Sequence, residues 1–135
     1  MVKDAIAKSH NVSVLDDSVE GILWVQISDK QDHFKVNVCV CYLPPYGSSR
    51  QCDVFDFYDD LLTMIYLYQN DGMFYVCGDF NSRCGNGIDF MEGIDHIPHR
   101  EILDFKMNSY GEVLLDFLIQ ANCCIVNGRH CKKND

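Results

Sequence analysis

A carboxylate and a carboxamide follow a short apolar run in the middle of the chain. Residues 73–77 read MFYVC, and residues 78–81 read GDFN. Such a run predicts a buried strand, and ligands in α/β folds gather at the carboxyl ends of central strands. At that position Asp79 can hold or deprotonate a water, and the Asn81 carboxamide can donate to a phosphoryl oxygen. A strand that ends in a simple Asp/Asn turn is the alternative interpretation.

A tyrosine ends a second predicted strand, residues 34–42. One face carries Phe34, Val36, Val38, Val40 and Tyr42, and the other carries Lys35, Asn37, Cys39 and Cys41. This alternation predicts a half-buried strand, which Pro44 and Pro45 bring to an end. The Tyr42 hydroxyl can therefore reach the same end of a sheet as Asp79. Packing with a solvated hydroxyl is the alternative role for this tyrosine.

The overall charge sets a condition on any phosphate chemistry. Among 135 residues, 20 acidic against 11 basic side chains leave a formal charge of -9. This charge repels polyanions and anionic membranes, so a basic nucleic-acid clamp is disfavoured. An acidic enzyme can still act on phosphate esters when a divalent cation lies between its carboxylates and the substrate.

The chain contains eight cysteines but no secretory signal pattern after Met1. We therefore expect reduced thiols in an intracellular protein of the nucleus or cytoplasm. No apolar run is long enough to cross a membrane, so no membrane partner is expected. Several thiols lie in apolar strand-like runs, where cysteine behaves as a small hydrophobic residue. These are Cys39, Cys41, Cys77, Cys123 and Cys124.

Further elements must position the two strand ends. Residues 21–27, GILWVQI, predict a strand. From Asp53 the apolar residues follow helical spacing, with acids near the helix start and Gly72 as a plausible stop. Residues 73–77 are apolar on both faces, which predicts a strand in the centre of its sheet. The helical stripe consists of Val54, Phe57, Tyr58, Leu61, Ile65 and Tyr68.

The second half of the chain begins with a predicted long loop over residues 82–108, of a length that is usually functional or mobile. Residues 109–112, SYGE, fit a capping box and predict the start of a helix. Residues 123–126 predict a last strand. The helix face consists of Leu114, Leu115, Phe117, Leu118 and Ala121. Alternation of strands and helices predicts one α/β domain.

The two strand ends together resemble the endonuclease/exonuclease/phosphatase superfamily, a metal-dependent phosphoesterase group that includes deoxyribonuclease I. The similarity lies in YLPP at 42–45 and GDFN at 78–81, separated by one helix and a buried strand. Endonuclease domains of non-LTR retrotransposons are the most similar in pattern. They share the order of a GILWVQI-like strand, a Tyr-x-Pro-Pro turn, GDFNSR, and NSYGEVLLDFLIQANCCIVNGR, which ends here at Arg129.

The resemblance implies a four-layer α/β sandwich of two packed sheets flanked by helices. Residues 1–129 would form part of that domain and residues 130–135 a polar tail. It assigns Asp79 to the attacking water, Asn81 to the scissile phosphate, and Tyr42 to a phosphoryl oxygen, with Mg²⁺ as cofactor. Such roles suit phosphoester cleavage, which needs a positioned nucleophile and stabilised oxygens. DNA, RNA and a small phosphate ester all stay open as substrates.

Two parts of the family's active site have no counterpart in this sequence: a glutamate that binds magnesium and a late Ser-Asp-His. Glu20 precedes a predicted strand instead of ending one, and residues 94–96, IDH, lie in the loop after GDFN. The resemblance therefore implies the middle of a family domain, truncated at both ends and impaired in catalysis. A catalytically inactive remnant or a binding module that retains the fold is the alternative.

Charged loop residues supply weaker candidates. We expect three arginines to contact phosphate or to serve solubility, namely Arg50, Arg83 and Arg100. We expect the acids and histidines of the long loop to be solvated or to contact substrate, namely Asp89, Asp95, His96 and His99.

Other chemistries are also open. A zinc module would use Cys123, Cys124, His130 and Cys131. It is disfavoured because adjacent cysteines do not readily point at one metal. A catalytic cysteine is conceivable, but no feature of the sequence marks one thiol as activated.

Overall fold

The structure is a computed structural model that describes residues 4–31 and 33–129. The predicted polar tail, residues 130–135, lies outside the described residues. Its four-stranded mixed sheet with helices confirms the predicted α/β class. The chain divides into two compact units, Met1–Phe80 and Asn81–Asp135, and the boundary falls inside the GDFN motif. Each unit is described separately below.

The first unit contains the sheet. Its elements are α1 (Asp4–Ser9), β1 (His10–Asp16), β2 (Ile22–Asp29), β3 (Lys35–Tyr42), α2 (Val54–Tyr68) and β4 (Met73–Asp79). The strand order is β1-β2-β3-β4, in which the first two pairs are antiparallel and β3 pairs with β4 in parallel. The sequence interpretation missed α1 and β1, although β1 alternates apolar Val12 and Val14 with polar neighbours.

The predicted central position of β4 is wrong, because β4 is an edge strand of the described sheet. Phe74 lies on the face that α2 covers, with its ring centroid 6.3 Å from that of Trp24, and Met73, Tyr75 and Cys77 lie on the opposite face. Apolar side chains on both faces therefore do not require a central position.

Helix α2 covers one face of the sheet, and its predicted stripe is confirmed. Asp53 caps the helix, since its carboxylate accepts from the N–H groups of Phe55 and Asp56 at 2.8 and 3.3 Å. The buried helix residues are Phe57, Tyr58, Leu61, Met64 and Ile65. Trp24 of β2 is fully buried, with its ring 5.1 Å from that of Tyr68.

The alternation predicted for β3 is observed, and the buried face is the one that carries Asn37, Cys39 and Cys41. The valine face is more exposed, as Val40 retains 44% of its accessible surface. Burial therefore follows the position of α2 and not the apolar character of the strand face.

One polar group stands inside this buried layer. Asn37 is fully buried, accepts from Gln26 Nε2 at 3.1 Å, and donates to the Tyr68 carbonyl at 3.3 Å. Gln26 also donates to Asp71 at 2.8 Å. These bonds join β2, β3 and the end of α2, and they satisfy polar atoms that would otherwise be costly to bury.

The second unit contains helix α3 (Ser109–Gln120) and the long loop before it. The predicted capping box is wrong by one residue, because Asn108 is the N-cap and accepts from the Gly111 N–H at 2.8 Å. The predicted strand at residues 123–126 is also wrong: no strand is formed there, and the Ile125 N–H donates to the carboxylate of Asp89 at 2.6 Å instead. No helix in the described part of the chain is long and apolar enough to span a membrane.

Candidate functional site

Tyr42 and Asp79 lie side by side at one end of the sheet. They are Cα partners in the parallel β3–β4 ladder, and the Leu43 N–H donates to the Asp79 carbonyl at 2.9 Å. Partners in adjacent parallel strands point to the same face about 4.8 Å apart. Both residues are exposed, with 48% of the Tyr42 surface accessible. A phenol and a carboxylate are thus brought together as the sequence predicted.

Gly78 makes this close pairing possible. Its φ of +143° lies where glycine is favoured, and a Cβ there would collide with the backbone of Cys41. The space left by this glycine is therefore occupied by β3 and not by a ligand. Gly78 positions the catalytic candidates through the backbone alone.

A third backbone segment reaches the same sheet end. Because β2 is antiparallel to β3, its start lies beside the end of β3, and the Tyr42 N–H donates to the Gly21 carbonyl at 2.8 Å. Glu20 therefore lies near Tyr42 although it precedes a strand. A cleft of about 570 Å³ is lined by both residues and by Arg50, whose guanidinium is 3.1 Å from the Glu20 carboxylate. Arg50, a predicted phosphate contact, is thus paired with an acid.

Asn81 and Arg83 begin the second unit. Asn81 has a φ of +48°, and its carbonyl accepts from the Asn108 side chain at 3.0 Å. The same Asn108 carboxamide accepts from the Arg83 N–H at 3.0 Å, so it fixes the backbone on both sides of Ser82. The Arg83 guanidinium is 3.8 Å from Asp104, which leaves it partly neutralised. The sequence interpretation missed Asn108, whose only signal is its position before a helix.

A buried charge cluster connects the long loop to the segment that follows α3. Asp89 is 1% exposed and receives two hydrogen bonds from the Arg129 guanidinium, at 2.6 and 3.0 Å. Arg129 also donates to the Pro98 carbonyl at 2.8 Å and stacks over Phe90. Arg100 lies 3.7 Å from Asp89 and donates to a loop carbonyl. The cluster is a structural core for the loop.

The expectation of a solvated Asp89 is therefore wrong. Burial would raise the pKa of Asp89, but the hydrogen bonds from Arg129 and from the Ile125 N–H outweigh burial and hold its pKa below the ordinary value. In the sequence, the only signal for burial of Asp89 was its position between the apolar residues Ile88 and Phe90. Arg100 is also mostly buried, and its guanidinium donates to the Gly87 carbonyl at 3.0 Å.

The other polar loop residues are more accessible. His96 and His99 are exposed, and His99 lies 3.8 Å from Glu92. Asp95 is half-buried and accepts from the Met91 N–H at 2.8 Å, so it shapes a local turn.

The seven cysteines of the described part are all free thiols. Cys39 and Cys41 are buried with their sulfurs 3.5 Å apart, and the hydrogen bond with Cys41, together with burial, raises the pKa of Cys39. Burial also raises the pKa of Cys84 and of Cys123. These shifts are opposite to those of activated nucleophiles.

The donor set for a metal is small. Within residues 4–31 and 33–129, no three His, Cys, Asp or Glu side chains are grouped so that they could hold a metal ion. Asp79 and Glu20 are carboxylates that the structure places at this end of the sheet. The Mg²⁺ that the resemblance implies is usually bound through one or two carboxylates together with waters and substrate phosphates. No family model matches the chain, and no curated protein matches it significantly.

Proposed function

We propose that this chain carries the catalytic strand pair of a metal-dependent phosphodiesterase of the endonuclease/exonuclease/phosphatase type, of retrotransposon origin and acting on DNA. The observation that carries the proposal is the pairing of Tyr42 with Asp79 at the carboxyl end of the parallel strands. Residues 37 positions apart in the sequence become direct neighbours. Their chemistry is complementary, since one accepts a proton and the other donates a hydrogen bond.

In this proposal Asp79 orients or deprotonates the attacking water. The Tyr42 hydroxyl donates to a phosphoryl oxygen as negative charge builds there, and Asn81 contacts the phosphate as its motif predicts. Mg²⁺ would supply charge neutralisation at the phosphate when bound.

The proposed architecture is the four-layer sandwich. Support for it comes from the sheet face opposite α2, which is apolar yet carries no buried side chain among the described residues. A second sheet packed at about 10 Å is the usual cover for such a face. The proposed location is the nucleus or the cytoplasm.

Magnesium-dependent nicking of supercoiled plasmid tests the activity. We expect Asp79→Asn to lower the nicking rate by about 10²–10⁴-fold, because it removes the proposed general base. We expect Tyr42→Phe to lower it by about 10–10³-fold, because it removes a hydrogen-bond donor to the phosphoryl oxygen. Asp60→Asn is the matched control, because Asp60 is an exposed acid inside α2 and not at a strand end. The proposal fails if the wild-type chain does not nick at any concentration, or if Asp79→Asn nicks as fast as the control.

A second candidate is a binding module that retains the fold without chemistry. It is favoured because both candidate phosphate contacts lie beside acids: Arg50 pairs with Glu20, and Arg83 pairs with Asp104. Paired arginines offer less charge to a phosphate. This candidate predicts absent nicking together with a folded, soluble protein, as judged by circular dichroism.

A further inference from the structure

A small pocket in the second unit is lined by the buried charge cluster. Its volume is about 190 Å³, and its lining residues all lie between Asn86 and Arg129. Asp89 and Arg100 belong to the lining together with Arg129. The pocket is smaller than the roughly 300–1,000 Å³ of pockets that hold drug-sized ligands. It is large enough for a small ion with a few waters.

The charges of this cluster do not balance. The two oxygens of Asp89 accept from the Arg129 guanidinium at 2.6 and 3.0 Å and from the Ile125 N–H at 2.6 Å. The hydrogen-bonding capacity of this carboxylate is therefore largely used. Of the described carboxylates, only Asp89 forms an ion pair with Arg100 or with Arg129. Two guanidinium groups thus share one negative charge, which leaves an excess of one positive charge beside the pocket.

Arg100 is the group whose charge is poorly compensated. Its side chain is 12% exposed, and its Nε lies 3.7 Å from the Asp89 carboxylate, too far for a hydrogen bond. A guanidinium has five N–H groups. Among the described residues, the one acceptor of an Arg100 hydrogen bond is the Gly87 carbonyl, at 3.0 Å. A mostly buried charge with so few partners is costly, so its remaining donors need acceptors, and the excess charge favours an anion over water.

We propose that this pocket binds a small oxyanion of the phosphate class, with the Arg100 guanidinium as its main contact. The planar fork of a guanidinium matches two oxygens of such an anion. At the rim, the His99 side chain is 71% exposed and lies 3.8 Å from Glu92, so the buried Arg100 and not this imidazole supplies the charge. The whole chain has a formal charge of -9, so binding depends on the local excess and not on a general attraction. This site is independent of the proposed phosphodiesterase function.

Calorimetric titration of the full chain with inorganic phosphate tests the proposal directly. We expect saturable binding that sodium chloride at the same ionic strength does not reproduce. Arg100→Gln should weaken this binding by at least about tenfold, because it removes the charge and most of the N–H donors. Lys106→Gln is the matched control, since Lys106 is an exposed cation of the second unit outside the pocket lining. It should bind phosphate as the wild type does.

The phosphate group is either a free ion or the end of a phosphate monoester, and thymidine monophosphate as a second probe distinguishes them. Binding at least as tight as that of inorganic phosphate would assign the pocket to monoesters. Weaker binding would assign it to the free ion, as the small volume of the pocket favours.

Alkylation of Cys84 in the wild-type chain supplies a readout that does not depend on a variant folding. Cys84 is buried, and its carbonyl accepts from the Gly87 N–H at 2.9 Å in the loop that lines the pocket. A ligand that binds only the folded loop suppresses its opening, so millimolar phosphate should slow Cys84 alkylation. Alkylation of Cys52, which is exposed in the first unit, should stay constant.

Three results would overturn the proposed anion pocket. The first is the absence of saturable phosphate binding by the wild-type chain. The second is equal phosphate binding by Arg100→Gln and Lys106→Gln. The third is a Cys84 alkylation rate that chloride slows as much as phosphate does.

Discussion

Replacing Asp89 with asparagine removes the negative charge from the buried cluster while it preserves the side-chain shape. Arg129 then keeps a guanidinium that is 8% exposed without the carboxylate that bound it at 2.6 and 3.0 Å. Breaking a buried pair from one side costs about 3–5 kcal/mol, because the remaining charge is left uncompensated. We expect Asp89→Asn to lower the free energy of unfolding of the second unit by about that amount.

Urea unfolding monitored by circular dichroism, with alkylation of buried Cys84 as a local probe, measures this loss. Asp104→Asn is the matched control, because the Asp104–Arg83 pair is exposed on both sides and 3.8 Å apart. Exposed pairs contribute about 0–1 kcal/mol. The reasoning is refuted if Asp89→Asn costs no more than Asp104→Asn. Replacing both Asp89 and Arg129 with apolar residues should cost less than the sum of the single changes.

Two further predictions concern pH and the strand pair. Because the folded-state pKa of Asp89 is lowered, its contribution to the free energy of unfolding is complete above the unfolded pKa of about 3.9. That contribution is lost as the pH falls from there toward the folded-state pKa. The difference in stability between the wild type and Asp89→Asn, measured in urea, should therefore be constant above about pH 5 and shrink below about pH 4. Gly78→Ala should lower the midpoint of urea unfolding, followed by Trp24 fluorescence, more than Gly47→Ala does. Both glycines have a positive φ, but only at Gly78 would a Cβ meet the backbone of another strand. Equal shifts of the midpoint would contradict the close contact between Gly78 and the Cys41 backbone.

Local signals predicted the elements that depend on local chemistry. Helix α2 followed from its apolar spacing and from Asp53 at its start, and the structure confirms both. The end of β3 followed from Pro44 and Pro45. That Tyr42 and Asp79 lie at the same end of the sheet was also predicted, because both residues follow predicted strands; their direct pairing in adjacent parallel strands is a finding of the structure.

Features that depend on distant partners were not predictable. Cys123 to Val126 has the composition of a strand, but the Ile125 N–H is satisfied by Asp89, 36 residues earlier. The edge position of β4 depends on which strands pair, and the apolar composition of Met73 to Cys77 carries no such information. Likewise, the antiparallel pairing of β2 with β3 brings Glu20 into the same cleft as Tyr42. The sequence did not predict this, because Glu20 precedes a strand instead of ending one.

Asn37 has a consequence for how the sheet chooses among alternative pairings. In most sheets a slip by one residue is prevented because it would expose the apolar face. Here the valine face of β3 is the more exposed one, so a slip that turned it toward α2 would cost little hydrophobic burial. The bonds of Asn37 to Gln26 and to the Tyr68 carbonyl exist in a single alignment, and any slip would leave a buried carboxamide without partners. A single buried asparagine thus gives this sheet the uniqueness that its hydrophobic pattern lacks.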